Sequence, residues 1–544
     1  MANISKIKRD GLLKKIDSVK EYLLLSSVRD NKTEELITYL NELKLEVDNK
    51  KYGLTFEEHR ENIDEVLSDN IFVFIEEKDL KINDFGGKYN FLLEGDNLPS
   101  LELLLKTHKK RIDVIYIDPP YNTGKKDFVY DDAFVDKNDT YKHSKWLSFM
   151  KKRLLLAQKL LSETGVILIS IDDNEQAILK ILCDSIFGEQ NFLTMFVRKT
   201  KSMTGDDGNG LNIQHEYLLA YAKNKNRATF TGETKTFDNY SNPDNDPNGI
   251  WTSADPSAKS GGESTYFPIE NPITGQIDYP PQGRYWAFSK ETMKNYIDSG
   301  RIKFKTKITK NQRGFIFKRY AETMEVTTHP VGTLCFDDNA YMNSVATSET
   351  NELIGAGKFS YPKPIEFIKD LIKYTSNKDS IILDFFAGSG TTGHAVMKLN
   401  KEDGGNRKYI LCTNNENNIC RNITYNRLKS AIKLNSFEEG LKYLKVGFVD
   451  KKNKLYYEFA DELLEHVKEL VELENALDFD NNETIKIILS EEELDEIFNR
   501  DVFGFSSLYI SHDVLLTGEQ LNKLSETNIK INIIPDYFYK EMEE

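Results

Sequence analysis

Val114-Ile115-Tyr116-Ile117-Asp118-Pro119-Pro120-Tyr121-Asn122 is a run of four β-prone apolar residues that ends in an acid, two prolines and a tyrosine. Proline fixes φ and donates no N–H, so a strand entering this stretch must stop near Ile117. The residue before a proline is pushed to extended geometry, which leaves Asp118 projecting from the strand's carboxyl end. Ligands of open α/β sheets bind at that end. The loop therefore presents a carboxylate, carbonyls and an aromatic face, the parts needed to hold a flat, amino-bearing ring.

Outward from this stretch, strands and helices alternate. Tyr89-Asn-Phe-Leu-Leu-Glu94 precedes a helix; a Leu- and Lys-rich helix is expected over 144–163, and Gly165-Val-Ile-Leu-Ile-Ser-Ile-Asp-Asp173 reads as a second buried strand ending in acids. A helix follows through Leu179, Leu182 and Ile186, and Glu216-Tyr-Leu-Leu-Ala-Tyr-Ala-Lys223 reads as a third strand. The rhythm resumes at Ser380-Ile-Ile-Leu-Asp-Phe-Phe-Ala-Gly-Ser-Gly-Thr-Thr-Gly393, with Tyr409-Ile-Leu-Cys-Thr413 after it. Such alternation predicts an α/β fold with a doubly wound sheet.

The expected divisions are a helical N-terminal segment (1–75), a core in two parts (76–195 and 341–445), an inserted domain (196–340) and an acidic α/β C-terminal domain (446–544). Apolar residues three and four apart (Leu12, Leu13, Ile16, Val19, Leu23) make the preface helical, and Thr55-Phe-Glu-Glu58 fits a capping box. The insertion is too long and irregular for a loop. Within it, residues 301–320 contain no acid, and Arg301, Lys303, Lys305 and Lys307 alternate, so a strand would place all four on one face. The stretch reads either as a lysine-protected edge strand or as a phosphate-tracking surface.

Composition narrows the field. With 544 residues, 39% hydrophobic and 29% charged, the chain can bury several cores. Its N-terminus lacks a signal-peptide core and no apolar run spans a bilayer, so an intracellular, cytoplasmic protein is expected. Cys183, Cys335, Cys412 and Cys420 form no C-x-x-C pair, which argues against a disulfide framework or a cysteine metal site; no metal is expected. The net charge of −15 leaves polyanion binding to local charge distribution.

Gly388-Ser-Gly390-Thr-Thr-Gly393 satisfies G-x-G-x-x-G and alone could serve a dinucleotide, so a nicotinamide-dependent oxidoreductase is one reading. Asp384 just ahead of it suits a cationic cofactor better than a pyrophosphate. Asp118-Pro-Pro-Tyr121 and Phe386-Ala-Gly-Ser-Gly390, taken together, resemble the catalytic and cofactor motifs of DNA amino-methyltransferases, in the permuted order of the β group. Lys358-Phe-Ser-Tyr-Pro-Lys-Pro364 resembles a further cofactor segment of that group. Leu93-Glu-Gly-Asp-Asn97, Asp139-Thr-Tyr-Lys-His-Ser-Lys-Trp-Leu-Ser-Phe149, Ser170-Ile-Asp-Asp-Asn-Glu175 and Ile534-Pro-Asp-Tyr-Phe-Tyr539 resemble the modification subunits of type III restriction systems.

The resemblance implies a Rossmann-like methyltransferase sheet with an inserted target-recognition domain, and S-adenosylmethionine-dependent transfer to adenine N6 in double-stranded DNA. It implies catalytic Asp118, Pro119, Pro120 and Tyr121, with cofactor contacts from Asp384, Phe386, Ala387, Gly388, Ser389, Gly390, Thr391, Lys358, Phe359, Ser360, Pro362 and Lys363. Asn414, Asn415 or Glu416 would hold the cofactor ribose. DNA contacts would come from Arg301, Lys303, Lys305, Lys307, Arg313, Lys318 and Arg319. A homodimer is implied. No G-x-x-x-x-G-K-[ST] loop is present, so any restriction (helicase-nuclease) partner would be a separate subunit. A cytosine-N4 enzyme, an orphan adenine methyltransferase and a DNA-binding regulator are the alternatives. His143 and Trp146 are expected to be structural.

Overall fold

The computed structural model describes residues 4–534, apart from 26–30, 49–55, 83–88, 125–126, 131–132, 137, 203–209, 236, 325–327, 451–462, 464–465, 479–483, 499–503, 512–513 and 528. The chain forms two compact units, Met1–Thr229 with Thr333–Glu544, and Phe230–Gly332.

The first unit opens with α1 (Ile4–Leu25) and α2 (Asn31–Asp48), which pack on each other, and α3 (Asn62–Asp69). The capping box expected at 55–58 is not a helix start. Thr55 lies outside the described residues and 56–61 are non-helical; the helix begins at Asn62, where the Glu61 N–H donates to Asp64 at 2.8 Å. Then come β1 (Asn70–Glu76), β2 (Tyr89–Glu94), α4 (Asn97–His108) and β3 (Ile112–Ile117). α5 (Lys142–Leu160), β4 (Leu161–Ile171), α6 (Gln176–Phe187), β5 (Phe192–Lys199) and β6 (His215–Ala222) follow.

The second unit holds β7 (Trp251–Ser253), α7 (Lys290–Asp298), β8 (Ile302–Phe304) and β9 (Phe315–Tyr320). β9 is the middle strand of an antiparallel sheet of three, over a core of Phe267, Ile269, Trp286, Phe288, Ile302 and Phe315.

Back in the first unit, α8 (Asn343–Ile354), α9 (Ile365–Thr375), β10 (Ile381–Asp384), α10 (Thr391–Asp403) and β11 (Lys408–Thr413) restore the α/β alternation. α11 (Tyr425–Asn435), β12 (Gly440–Asp450) and α12 (Val467–Asn475) lead to a parallel sheet of β13 (Ile485–Ile488), β14 (Ser507–Ile510) and β15 (Lys530–Ile533). That small sheet is covered by α13 (Glu491–Phe498) and α14 (Gly518–Glu526), with a core of its own around Ile488, Leu494, Leu508 and Leu524.

The main sheet has nine strands in the order β1-β12-β2-β11-β10-β3-β4-β6-β5. The six from β12 to β4 are parallel, and β1 and β6 run antiparallel to their neighbours. From β10 the chain winds one way, to β11; from β3 it winds the other way, to β4. A crevice therefore opens at the carboxyl ends of β10 and β3, the place where doubly wound sheets bind ligands.

Four expected boundaries move. Residues 70–75 belong to β1, an edge strand of the main sheet rather than to the helical preface. β5 and β6 also belong to that sheet, so the inserted unit begins at 230 instead of 196 and ends at 332 instead of 340. The turn-forming residues of 204–209, whose density suggested a domain change, lie outside the described residues. α12 is docked on the core by Val467, Leu470 and Val471 and by buried Lys442 of β12, 2.6 Å from Glu472 and 2.7 Å from Asp478, so the small C-terminal sheet starts only after it. No described helix is long and apolar enough to cross a membrane.

Candidate active site

β3 and β10 lie side by side, Ile382 against Val114 and Leu383 against Ile115, so their following loops emerge together. Asp384 ends β10. It is buried, and both its oxygens are engaged within the glycine turn, one by the Phe386 N–H (3.0 Å) and one by the Thr392 hydroxyl (2.5 Å). Burial pushes this carboxyl up to about 7. The acid expected beside a cationic ligand thus also braces the turn. Gly390 sits at φ +80°, which an L side chain rarely adopts. A Cβ on Gly393 would stand 2.8 Å from Leu428 and 3.0 Å from Leu411, so a glycine there lets α10 press onto β11 and α11.

Asp118 follows β3 immediately. Lys363 donates to both of its oxygens, at 2.7 and 2.6 Å, and to the Tyr121 hydroxyl at 3.1 Å. The Tyr121 hydroxyl donates in turn to Glu216 at 3.2 Å. Burial raises the Asp118 carboxyl, Lys363 opposes the shift and neighbouring Glu216 adds to it. Burial, then Asp118, drives the Tyr121 phenol well above its usual range, so it stays protonated. Lys363 was expected among the cofactor contacts; its ammonium meets Asp118 and Tyr121. Glu216 carried no signal of chemistry in the sequence, only that of a strand.

Other side chains hold the Asp118 loop. The Trp146 indole, fully buried on α5, donates to the Pro120 carbonyl at 2.7 Å. Asn122, buried at φ +56°, donates to the Lys142 carbonyl (3.1 Å) and to Glu175 (2.6 Å), which also meets His143 Nδ1 at 2.7 Å. Burial raises the Glu175 carboxyl to about 8. Trp146 is thus a buried loop support, as expected, whereas His143, also expected to be buried, is half exposed and reaches the loop only through Glu175.

Beside the two loops lies a cavity of about 390 Å³. Phe128, Phe149, Phe385, Phe386, Ile63 and Pro120 give it apolar walls; Asp96, Asn97, Asp127, Asn414 and Glu416 give it polar ones. Of the three ribose candidates, Asn414 and Glu416 face the cavity, whereas Asn415 donates to Glu94 (3.3 Å) and accepts from the Arg421 N–H (3.2 Å). Glu61, Asn62 and Ile63 also line it, a contribution of the helical preface that its periodicity could not announce. Phe359 comes to the glycine turn, 3.3 Å from where a Cβ on Gly388 would stand. Pro362 is buried, whereas Lys358 and Ser360 are exposed. Ala387 donates to the Cys412 carbonyl (3.1 Å), and buried Arg427 holds Ser389 (2.7 Å) and Thr391 (2.8 Å) from behind.

The basic stretch of the inserted unit departs most from its sequence reading. The strand spans only Ile302–Phe304, so Arg301, Lys303, Lys305 and Lys307 do not form one strand face. Lys318 is a core residue, 2% exposed, locked between Asp244 (2.7 Å) and Asp246. It cannot reach a phosphate. Lys303 also pairs with Asp244 (2.6 Å) and Arg313 with Asp255 (3.0 Å). Arg301 lies over Tyr296 and Phe317, 4.7 and 5.2 Å from the ring centres, and Lys305 reaches Gln312 at 3.4 Å. Lys307, Lys310 and Arg319 are exposed and make no ion pair among the described residues.

A doubly wound sheet with two motif-bearing loops converging at its switch point, and a second unit inserted between strand and helix, defines an α/β cofactor-binding scaffold of two units. A family model for N6/N4-type DNA methylases matches residues 112–426, and the chain belongs to that family. It is 38% identical over 372 residues to the Mod subunit of the type III restriction-modification enzyme StyLTI of Salmonella typhimurium, a match covering 62% of this chain and 55% of the relative. Against the EcoPI Mod subunit of Escherichia phage P1 it is 33% identical, covering 60% and 58%. Against the type II methyltransferase M.KpnI of Klebsiella pneumoniae it is 35% identical, covering 61% and 82%. The chain thus spans little more than half the length of the two type III relatives it matches.

Proposed function

We propose that this protein transfers a methyl group from S-adenosylmethionine to adenine N6 in a short sequence of double-stranded DNA, as the modification subunit of a type III restriction-modification system. The observation that carries the reading is the meeting of Asp118 and the glycine turn at the ends of adjacent parallel strands. The residues fit the cofactor: aromatic walls suit a purine, Asn414 and Glu416 suit a ribose diol, and the Gly388–Gly390 turn with Phe386, Ala387, Ser389 and Thr391 suits the methionine end. When bound, the cofactor supplies a methyl group already activated on a positive sulfur.

The chain's residues supply the rest. The exocyclic amine of adenine is a poor nucleophile because its lone pair is delocalised into the ring. Accepting hydrogen bonds from that amine, Asp118 and a loop carbonyl draw the lone pair back to nitrogen. The Pro120 carbonyl is taken by Trp146, which leaves that of Pro119 for this role. Tyr121 stacks on the extruded ring, a contact worth about 1–3 kcal/mol, against an extrusion cost of a few kcal/mol. The inserted unit reads the sequence, Lys307, Lys310 and Arg319 meet phosphates, two copies pair, and a separate restriction subunit acts with them in the cytoplasm.

Tritiated S-adenosylmethionine, mixed-sequence DNA and nucleoside analysis test this reading. Label on adenine N6 is the expected result. Label on cytosine alone refutes the base assignment, and none at all refutes the activity. A melting rise with S-adenosylhomocysteine and not with NAD is the companion expectation.

A further inference from the structure

Lys363 faces two carboxylates. Its ammonium lies on Asp118 and 3.7 Å from Glu216 Oε1. Glu216 is held from behind by Arg198, its partner in the β5–β6 register, whose Nε donates to Oε1 at 2.9 Å. Arg198 is itself fixed by the Tyr341 carbonyl and by Asn343, the latter at 2.8 Å. Side-chain exposures are 1% for Arg198, 7% for Glu216, 10% for Lys363 and 25% for Asp118. The cluster therefore holds two acids and two bases, and only the Asp118 corner opens outward.

Lys363 takes lone pairs on both oxygens of Asp118, the group that the functional reading needs as acceptor for a base amine. A shift of about one ångström would bring the same ammonium to hydrogen-bond length from Glu216. We propose that Glu216, backed by Arg198, is a positioning residue for methyl transfer: it receives the Lys363 ammonium when an amine engages Asp118. No proton moves in this exchange; Lys363 changes acceptor and stays charged throughout. Tyr121 bonds both partners, so its ring is held while the ammonium moves. The inference rests on the methyltransferase reading and adds to it a residue from a strand outside both motifs.

A double-mutant cycle on the full-length protein tests it, read as the single-turnover rate of tritium transfer to DNA with S-adenosylhomocysteine affinity and melting temperature alongside. Glu216→Gln leaves the ammonium on Asp118, and the rate is expected to fall at least about tenfold with cofactor affinity retained. Adding Lys363→Met removes the competitor, so the double variant should run faster than Glu216→Gln and match Lys363→Met alone. A double variant slower than either single one, or Glu216→Gln at the wild-type rate, overturns the proposal. If Glu216→Gln does not fold, Glu216→Asp, which keeps a charge for Arg198 but falls short of Lys363, must show the same loss and the same rescue. Wild-type protein that labels no DNA refutes the functional reading instead, a result distinct from active wild type with an unrescued variant.

Discussion

Each of the two units contains a lysine set between two carboxylates. In the inserted unit Lys318 lies between Asp244 and Asp246, with the Trp251 indole on the first acid and the Tyr320 hydroxyl on the second, each at 2.8 Å. Lys303 and Lys318 hold Asp244 far below the usual carboxylate range; Lys318 does the same for Asp246 against the effect of burial. In the larger unit Lys363 lies between Asp118 and Glu216, yet burial pushes Asp118 up. With each acid saturated by partners and Lys318 itself buried, the first arrangement is a structural pin. In the second, one acid faces outward and both its oxygens are held by a single shared cation, which is what an exchangeable ligand position requires.

Asp118→Asn should break the comparison on its open side, lowering transfer by roughly 10²–10³-fold or more while cofactor binding survives. A variant that still methylates DNA at the wild-type rate would put Asp118 with the pins. Next in size, Lys318→Met leaves buried Asp246 without its cation, while Asp244 keeps Lys303, and should destabilise the inserted unit by about 3 kcal/mol in urea unfolding. Lys363→Met should cost less, because Arg198 still neutralises Glu216 and Asp118 has an outlet to solvent. The reverse order would remove the distinction.

pH sharpens it further. Burial pushes the Glu175 carboxyl up to about 8 in the folded chain, against roughly 4.3 when unfolded. Between those values the folded state binds more protons, so its contribution is present at low pH and lost as pH rises toward 8. Asp384, raised to about 7, acts in the same direction. Glu175→Gln should flatten the fall in melting temperature between about pH 5 and 8; an unchanged slope would contradict the assignment. Smallest is the surface effect. Replacing Lys307, Lys310 and Arg319 together should lower the salt slope of DNA binding by about one for each phosphate no longer neutralised. Replacing Lys303 should change it little, because Asp244 already holds that ammonium.

The parts legible in the sequence are those where a residue constrains its own backbone. Pro119 and Pro120 end β3 where expected, and Gly390 and Gly393 mark a turn and a close approach that their neighbours demand. The alternation of apolar runs disclosed the doubly wound sheet. Illegible were pairings between distant residues. An acid-free stretch looked free to bind phosphates because Asp244, Asp246 and Asp255, its partners, lie well upstream. Glu216 looked like one polar position in an apolar strand, and nothing local ties it to Arg198 or Lys363. The inserted unit was placed too early because the Gly-, Asn- and Asp-rich sequence ahead of β6 reads as a domain boundary, although β6 pairs in the main sheet.

Methyl transfer as proposed requires the Asp118 loop and the glycine turn to enclose one reaction space. A crystal structure of the protein with S-adenosylhomocysteine and a DNA duplex carrying its target sequence measures this directly. The expected complex has an extruded adenine on Tyr121, its amine on Asp118, Lys363 drawn to Glu216, and the amine within reach of the sulfur's methyl position, about 3–3.5 Å from it. A cofactor product bound away from the glycine turn, or a base held where Asp118 cannot touch its amine, would contradict it.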